Sequence, residues 1–343
     1  MKRIGAIIRR SISSVAVPLA ALALLVSLAS EAFAEGKIRI AEQFGVSYLP
    51  LQMMRKNNLI EKHGKEQGLD IEVEWARFSG GAAMNDALLS DNIDIGAGGV
   101  GPLLVIWDRT RGSMNVKGIS AINTMPLFLN TKNPDVKSIE DFTEKDKIAL
   151  PSVKVSIQAR ILQMAAEQAF GEGNHEKLDS LTVSMPHPDG TAAMLSGGSE
   201  ITAHMSSPPF QYQQLENDNI HRVLSSYDVL GGPHTFNIVW AKESFRDNNP
   251  KTYQAFMAAL KEAMEMIKAD RKAAAQTYVE VTKSKLDPAF VERIISEPDI
   301  EYTIVPKKTM AFAEFMHKVG AIKTKPESWK DYFFEDIQDQ PGS

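Results

Sequence analysis

From Lys37 onward, short apolar runs alternate with stretches of helical periodicity, and this alternation constrains the fold more than any other feature of the chain. Lys37–Ala41 (KIRIA) reads as a strand, Leu51–His63 as a helix, Asp70–Ala76 (DIEVEWA) as a strand with clean alternation, and Ala82–Ser90 as a helix. Asp94–Ala97 is a short strand running into Gly98-Gly99-Val100-Gly101-Pro102, and a further helix follows through Trp107. The βαβαβα order predicts an α/β sheet with helices on its faces. In such sheets ligands collect in the loops at the carboxyl ends of strands and at the adjoining helix N-termini.

The same order returns further along. Lys147–Leu150 reads as a strand, Ser156–Phe170 as a helix, Leu181–Met185 as a strand, and Ile201–Met205 as a short strand running into Ser206-Ser207-Pro208-Pro209. Residues 88–102 (LLSDNIDIGAGGVGP) align without a gap, at an offset of 106, with residues 194–208 (MLSGGSEITAHMSSP). Leu89, Ser90, Ile95, Ala97 and Pro102 face identical residues, and Asp94 faces Glu200. Both copies read as helix end, turn, short strand, small-residue loop and helix start, which predicts two similar lobes. From Asn249 the chain is mostly helical, over Thr252–Lys268, Arg271–Lys283, Pro288–Ser296 and Lys307–Lys318, with charged solvated faces.

The first thirty-odd residues differ from the rest. Lys2, Arg3, Arg9 and Arg10 precede an apolar stretch from Val15 to Ala29, which ends in Ala32-Phe33-Ala34 before Glu35. A basic start, an apolar run too short to span a bilayer and a small-x-small ending are the pattern of a cleaved secretory signal over residues 1–34. Its removal leaves 34 basic against 42 acidic residues, a mature charge near −8 where the full chain carries −5. That balance provides no basic footprint for nucleic acid. The 343 residues contain no cysteine, which excludes a disulfide scaffold and a thiolate metal site. The length suits two domains whose cores stabilise an exported protein by packing alone.

No catalytic constellation stands out: there is no Cys nucleophile, no G-x-S-x-G, no H-E-x-x-H and no P-loop, and the seven histidines follow no metal-ligand spacing. His63, His175, His221 and His317 lie in polar contexts and read as surface residues. The chain does offer small-residue loops between strands and helices, where backbone N–H groups can meet a ligand unobstructed. These are Ser79-Gly80-Gly81, Gly98-Gly99 and Ser206-Ser207, with Ser156 as a cap. Gly and Ser are equally routine turn and capping residues at such junctions, so only convergence of several loops favours a ligand. Four converging helix starts would favour an anionic or zwitterionic one. Gln43 ends the first strand and can hydrogen-bond a ligand whose apolar part Phe44 or Tyr48 covers; capping and packing are the alternative. Lys154 is the one cation beside the loops, a partner for an anion or a solvated lysine. His204 and His234, the latter by the Gly231-Gly232-Pro233 turn, can donate to an oxyanion or serve structure.

Three segments carry a family resemblance: the first strand through Ala87-Leu88-Leu89-Ser90 and Asp94-Ile95-Gly96, the run PSVKVSIQARILQM, and Pro188–Pro209. Over roughly residues 37–270 the chain resembles the nitrate/sulfonate/taurine substrate-binding proteins of ABC transporters. The resemblance implies a two-lobed type II periplasmic binding protein fold, with a central mixed sheet in each lobe, two crossover strands and a helical C-terminal region. Lobe 1 is expected over residues 35–131 and 229–343, and lobe 2 over residues 132–228. It further implies a periplasmic, non-enzymatic monomer without a cofactor that closes over a small organic anion and docks on a membrane permease driven by an ATPase. Lobe-one contacts would come from Gln43, Phe44, Ser79, Gly80, Gly98 and Gly99, and lobe-two contacts from Ser156, Gln158, Ser206 and Ser207. No obvious arginine lies in these loops, so a bidentate carboxylate clamp is not expected, and a sulfonate-like anion held by N–H groups and hydroxyls fits better. A pyrimidine or other aromatic solute, stacked on Phe44, Tyr48 or Phe210, is the alternative ligand. Thiamine-pyrimidine-synthesising enzymes share the implied fold, but their cysteine-rich iron motif is absent here. A periplasmic sensor is the third alternative.

Overall fold

A computed structural model describes residues 35–343, so the signal segment expected over residues 1–34 lies outside the described residues. The first sheet is entered through β1 (Lys37–Glu42), followed by helices α1 (Leu49–Asn57) and α2 (Leu59–Glu66) and strand β2 (Glu72–Arg77). Helix α3 (Gly81–Leu89), β3 (Ile95–Gly99), α4 (Val100–Thr110) and β4 (Lys117–Ala121) follow. The single helix expected over Leu51–His63 is two helices, because Asn58 adopts a left-handed conformation (φ 50°) between them. Asparagine is one of the few residues that enters that region readily.

The chain then builds a second sheet through β5 (Phe128–Thr131), β6 (Ile148–Leu150), α5 (Ile157–Phe170), β7 (Thr182–Ser184), α6 (His187–Leu195), β8 (Ala203–Met205), α7 (Phe210–Leu215) and β9 (His221–Ser225). Helix α8 (Ser226–Leu230) leads to β10 (Asn237–Ala241), which returns to the first sheet. The helical remainder comprises α9 (Glu243–Asn248), α10 (Pro250–Ala269), α11 (Arg271–Thr282), α12 (Pro288–Ile295) and α13 (Thr309–Lys318). We refer to each sheet with its helices as a lobe; residues 36–343, holding both, form one compact unit.

The sheets have the same topology. The strand orders are β2-β1-β3-β10-β4 and β7-β6-β8-β5-β9. In each, three parallel strands are followed by an antiparallel one, and the last strand is antiparallel to that. The internal echo therefore falls on equivalent strands, β3 and β8. It also extends back by seven residues: α3 begins at Gly81 and α6 at His187, the same offset of 106. Strand β5 begins at Phe128, ahead of the lobe boundary expected at residue 132. Strands β4, β5, β9 and β10 are not legible as strands in the sequence. They are four or five residues long, and β5 and β10 are buried throughout, so neither shows the alternation that marks a half-exposed strand.

Two segments cross between the sheets and are stitched together. Thr124 and Thr235 form an antiparallel bridge, the Ile122 N–H donates to the Asn237 carbonyl at 2.9 Å, and the Ser226 N–H donates to the Leu127 carbonyl at 2.8 Å. One apolar cluster runs through both lobes, from Ile38 and Trp240 to Leu150 and Met205, with a smaller one around Ala149, Met194, Ile201 and Ile220. Among the described residues no helix is long and apolar enough to cross a membrane, and no cluster of His, Asp and Glu is arranged to hold a metal ion.

Candidate functional site

Four helices, two from each lobe, begin at one cleft between the sheets. Gly81 opens α3, Gly99 is the residue before α4, Ser156 and Ile157 start α5, and His187 opens α6; all of these line one narrow cavity together with Gln43, Phe44, Tyr48, Pro102, Pro151, Gln158 and Phe236. Its volume is about 10 Å³, room for about one water molecule, because the lobes are shut against each other. A helix start leaves backbone N–H groups without partners in the helix. Only α5 meets part of this demand from its own cap, the Ala159 N–H donating to Ser156 Oγ at 3.2 Å; the residues preceding α3, α4 and α6 make no side-chain cap. Among the described residues no charged side chain lines the cavity. The cleft is thus positive by its N–H groups and helix dipoles alone, each dipole contributing roughly 0.3–1 kcal/mol toward an anion.

The side chains around it are held by local contacts. Gln43 donates from Nε2 to the Ala97 carbonyl at 3.2 Å, and a side chain on Gly98 would come within 2.8 Å of that same Nε2 and 2.9 Å of Trp240. Tyr48 is buried with its hydroxyl near Asn237 and Gln43, and burial pushes its pKa far up, so it stays protonated. The ring of Phe44 lies under the Arg77 guanidinium, 5.4 Å from the ring centre, and Arg77 pairs with Glu42 at 2.6 Å. Burial raises the Glu42 carboxyl although Arg77 and Gln52 draw it down. The nearest cation to the aromatic wall is thereby committed to a buried carboxylate.

Of the residues singled out from sequence, Gln43, Phe44, Tyr48, Gly81, Gly99, Ser156 and Gln158 lie on the cavity wall. Gly80 instead meets the opposite lobe: a Cβ there would collide with Ser152 Oγ and come within 2.7 Å of the Pro151 carbonyl. Gly98 backs Gln43 from behind, and Ser79 is exposed in the turn before α3. Lys154 is exposed and points to acid rather than to the cleft, with Nζ 3.2 Å from Glu176 and 3.7 Å from Asp179. Ser206 and Ser207 are fully buried beside the interlobe contact of the Val46 N–H with the Pro208 carbonyl (3.2 Å), and their hydroxyls have no hydrogen-bond partner among the described residues. His234 is buried in the crossover, bonded to Ser226 Oγ at 2.8 Å and the Thr235 carbonyl at 2.9 Å; burial pushes its pKa down to about 4. His63 is largely covered rather than a surface residue, with its ring nitrogens 2.8 Å from Glu66 and 2.7 Å from Glu262.

The sequence reading missed His187 and Phe236. A signal for His187 existed, since it stands at the echo offset from Gly81 in a Pro-His-Pro-Asp helix start. Phe236 enters from the second crossover, whose position no local pattern announces. Phe210, a candidate stacking residue, stacks on His187 with ring centres 5.7 Å apart.

No curated protein matches the chain. Its fold is shared with the alkanesulfonate-binding protein SsuA from Xanthomonas axonopodis pv. citri bound to MOPS, at 18% identity and a TM-score of 0.66 over 85% of this chain and 95% of that one. The aliphatic sulphonate binding protein SsuA of Escherichia coli superposes with a TM-score of 0.64 at 16% identity, covering 87% and 92% of the two chains. The nitrate-binding protein NrtA of Synechocystis PCC 6803 does so with a TM-score of 0.68 at 15% identity, covering 87% and 84%. The two lobes, one sheet each, and the helical C-terminal region thus form a periplasmic binding protein fold. The model of the NMT1-like family matches residues 36–282, well over half of the sequence, and the chain belongs to that family.

Proposed function

We propose that this protein is the periplasmic solute-binding component of an ABC importer, and that it captures a small organic anion of the sulfonate, taurine or nitrate kind between its lobes. The observation that carries this reading is the meeting of four helix N-termini, two from each lobe, on a cavity free of charged side chains. An anion there draws the donors of both lobes together, and differential affinity for the closed form is what shifts a two-lobed protein toward closure. The closed, loaded form then docks on a membrane permease served by an ATPase. Sulfonate- and nitrate-binding proteins of the same fold support the reading.

A thermal-shift screen with alkanesulfonates, taurine, nitrate, carboxylates and pyrimidines tests it. Ligand at about 100 times its Kd adds roughly 2.7 kcal/mol to stability, a readily measured rise in Tm. The expected result is stabilisation by one of the sulfur or nitrogen oxyanions. Stabilisation by neutral pyrimidines alone would replace the anion with an aromatic solute, a reading favoured by Phe44, Tyr48 and Phe236 on the same wall.

A further inference from the structure

Behind the cleft, four buried side chains of the second lobe form an unbroken hydrogen-bonded row. Gln214 Nε2 stands 2.7 Å from His204 Nδ1, His204 Nε2 stands 3.0 Å from His187 Nδ1, and His187 Nε2 stands 3.2 Å from Gln158 Nε2 on the cavity wall. All four are at most 6% exposed. Such a row can carry its protons in either of two directions, and each direction gives the cleft a different chemical face.

The far end selects one direction. Asn130 donates both amide hydrogens from Nδ2, one to the Gln211 carbonyl and one to Gln214 Oε1, each at 3.0 Å. A backbone carbonyl only accepts, so the Asn130 amide cannot be turned round, and Gln214 Oε1 must be the acceptor. Gln214 Nε2 then spends its two hydrogens on Thr191 Oγ1 (3.0 Å) and on His204 Nδ1. His204 therefore carries its proton on Nε2 and gives it to His187 Nδ1, which leaves the His187 proton on Nε2. That N–H must meet an acceptor, and the two ends of an amide are nearly the same size, so the Gln158 side chain puts its oxygen where Nε2 stands against His187 and turns its NH2 group into the cleft. Packing holds the row in place: a side chain on Gly190 would come within 2.7 Å of the His204 ring, and Phe210 stacks on His187.

We propose that this relay locks the Gln158 amide with its NH2 group toward the ligand, so that this point of the wall reads a hydrogen-bond acceptor such as a sulfonate, nitrate or other oxyanion oxygen and rejects a donor. The inference rests on the anion-binding reading of the same cavity and adds to it a residue-level selector. Both rings are neutral: burial pushes His187 down to about 3, and burial together with His187 holds His204 well below its ordinary value. The row thus sets direction without adding net charge.

Nitrogen-detected NMR of the 15N-labelled, ligand-free protein at neutral pH tests the direction, because the two ring nitrogens of a neutral imidazole resonate far apart. The expected spectrum has His187 and His204 both protonated on Nε2. An Nδ1 proton or an imidazolium at either ring overturns the proposal. In Gln158→Glu a carboxylate still accepts from His187 but offers the ligand no donor. The expected outcome is unchanged tautomers with ethanesulfonate binding weakened about tenfold or more, and unchanged affinity in the folded variant would overturn the role of Gln158. Should ethanesulfonate, taurine and nitrate all fail to bind the unaltered protein while both rings show Nε2 protons, the anion reading falls and the relay's direction stands.

Discussion

Single residues at this site act mainly through what they leave out. Gly98 gives Gln43 and Trp240 their places, since an added methyl would sit 2.8 Å from Gln43 Nε2 and 2.9 Å from Trp240. Gly98→Ala is expected to cost about 1–3 kcal/mol, the usual range for overpacking, read as a lower denaturation midpoint with an unchanged m-value. Such a glycine is visible in the sequence as part of a small-residue loop, but its reason is not. Local chemistry suggests a ligand approaching the backbone, whereas the tertiary contact is with Gln43 and Trp240. Lys154 illustrates the opposite outcome, because the cation nearest the loops in sequence turns to Glu176 and Asp179 in space.

Between elements, a buried carboxylate anchors the approach to the second sheet. Asp146 lies just ahead of β6, is 1% exposed, and accepts hydrogen bonds from the Thr143 N–H (3.0 Å), Asn133 Nδ2 (2.9 Å) and the Thr202 hydroxyl (3.0 Å). Burial alone would raise its pKa, but the hydrogen bonds together outweigh burial and hold it below the ordinary carboxyl value of 3.8. A carboxyl depressed by folding contributes stability that is fully present above its unfolded pKa and is lost as pH falls through the folded one. Urea denaturation between about pH 6 and about pH 3 should show stability falling at the acid end, with a shallower fall in Asp146→Asn. An acid limb as steep in the variant as in the parent would remove Asp146 from this account. The helix starts belong to the same scale. Gly81, Gly99 and Ser156 were legible as turn and cap residues because Gly and Ser at a strand-to-helix junction have few other uses, whereas His187 lay outside the echoed segment and looked like one histidine among seven.

For the molecule as a whole, glycines set how closely the lobes can meet. Side chains on Gly45, Gly80, Gly99 and Gly101 would collide with Pro208, Pro151, Ile157 and Val155 of the other lobe. Gly80→Val is therefore expected to hold the lobes apart. The variant should remain folded with a ligand-free Tm within a few degrees of the parent, and should lose the ligand-induced rise in Tm. A full ligand response in the variant would show that closure at Gly80 is not needed for binding. Alternation of strands and helices was enough to determine an α/β chain built twice, because hydrophobic periodicity is local and the echo at offset 106 preserves it. The sequence also held the residue types of the cleft wall, since small and capping residues at helix starts are a local requirement. Only the tertiary structure decided which of them meet, where the segments leading into β5 and β10 cross between the sheets, and which way the buried amides and imidazoles point, because each of these depends on partners ten or more residues away in the chain.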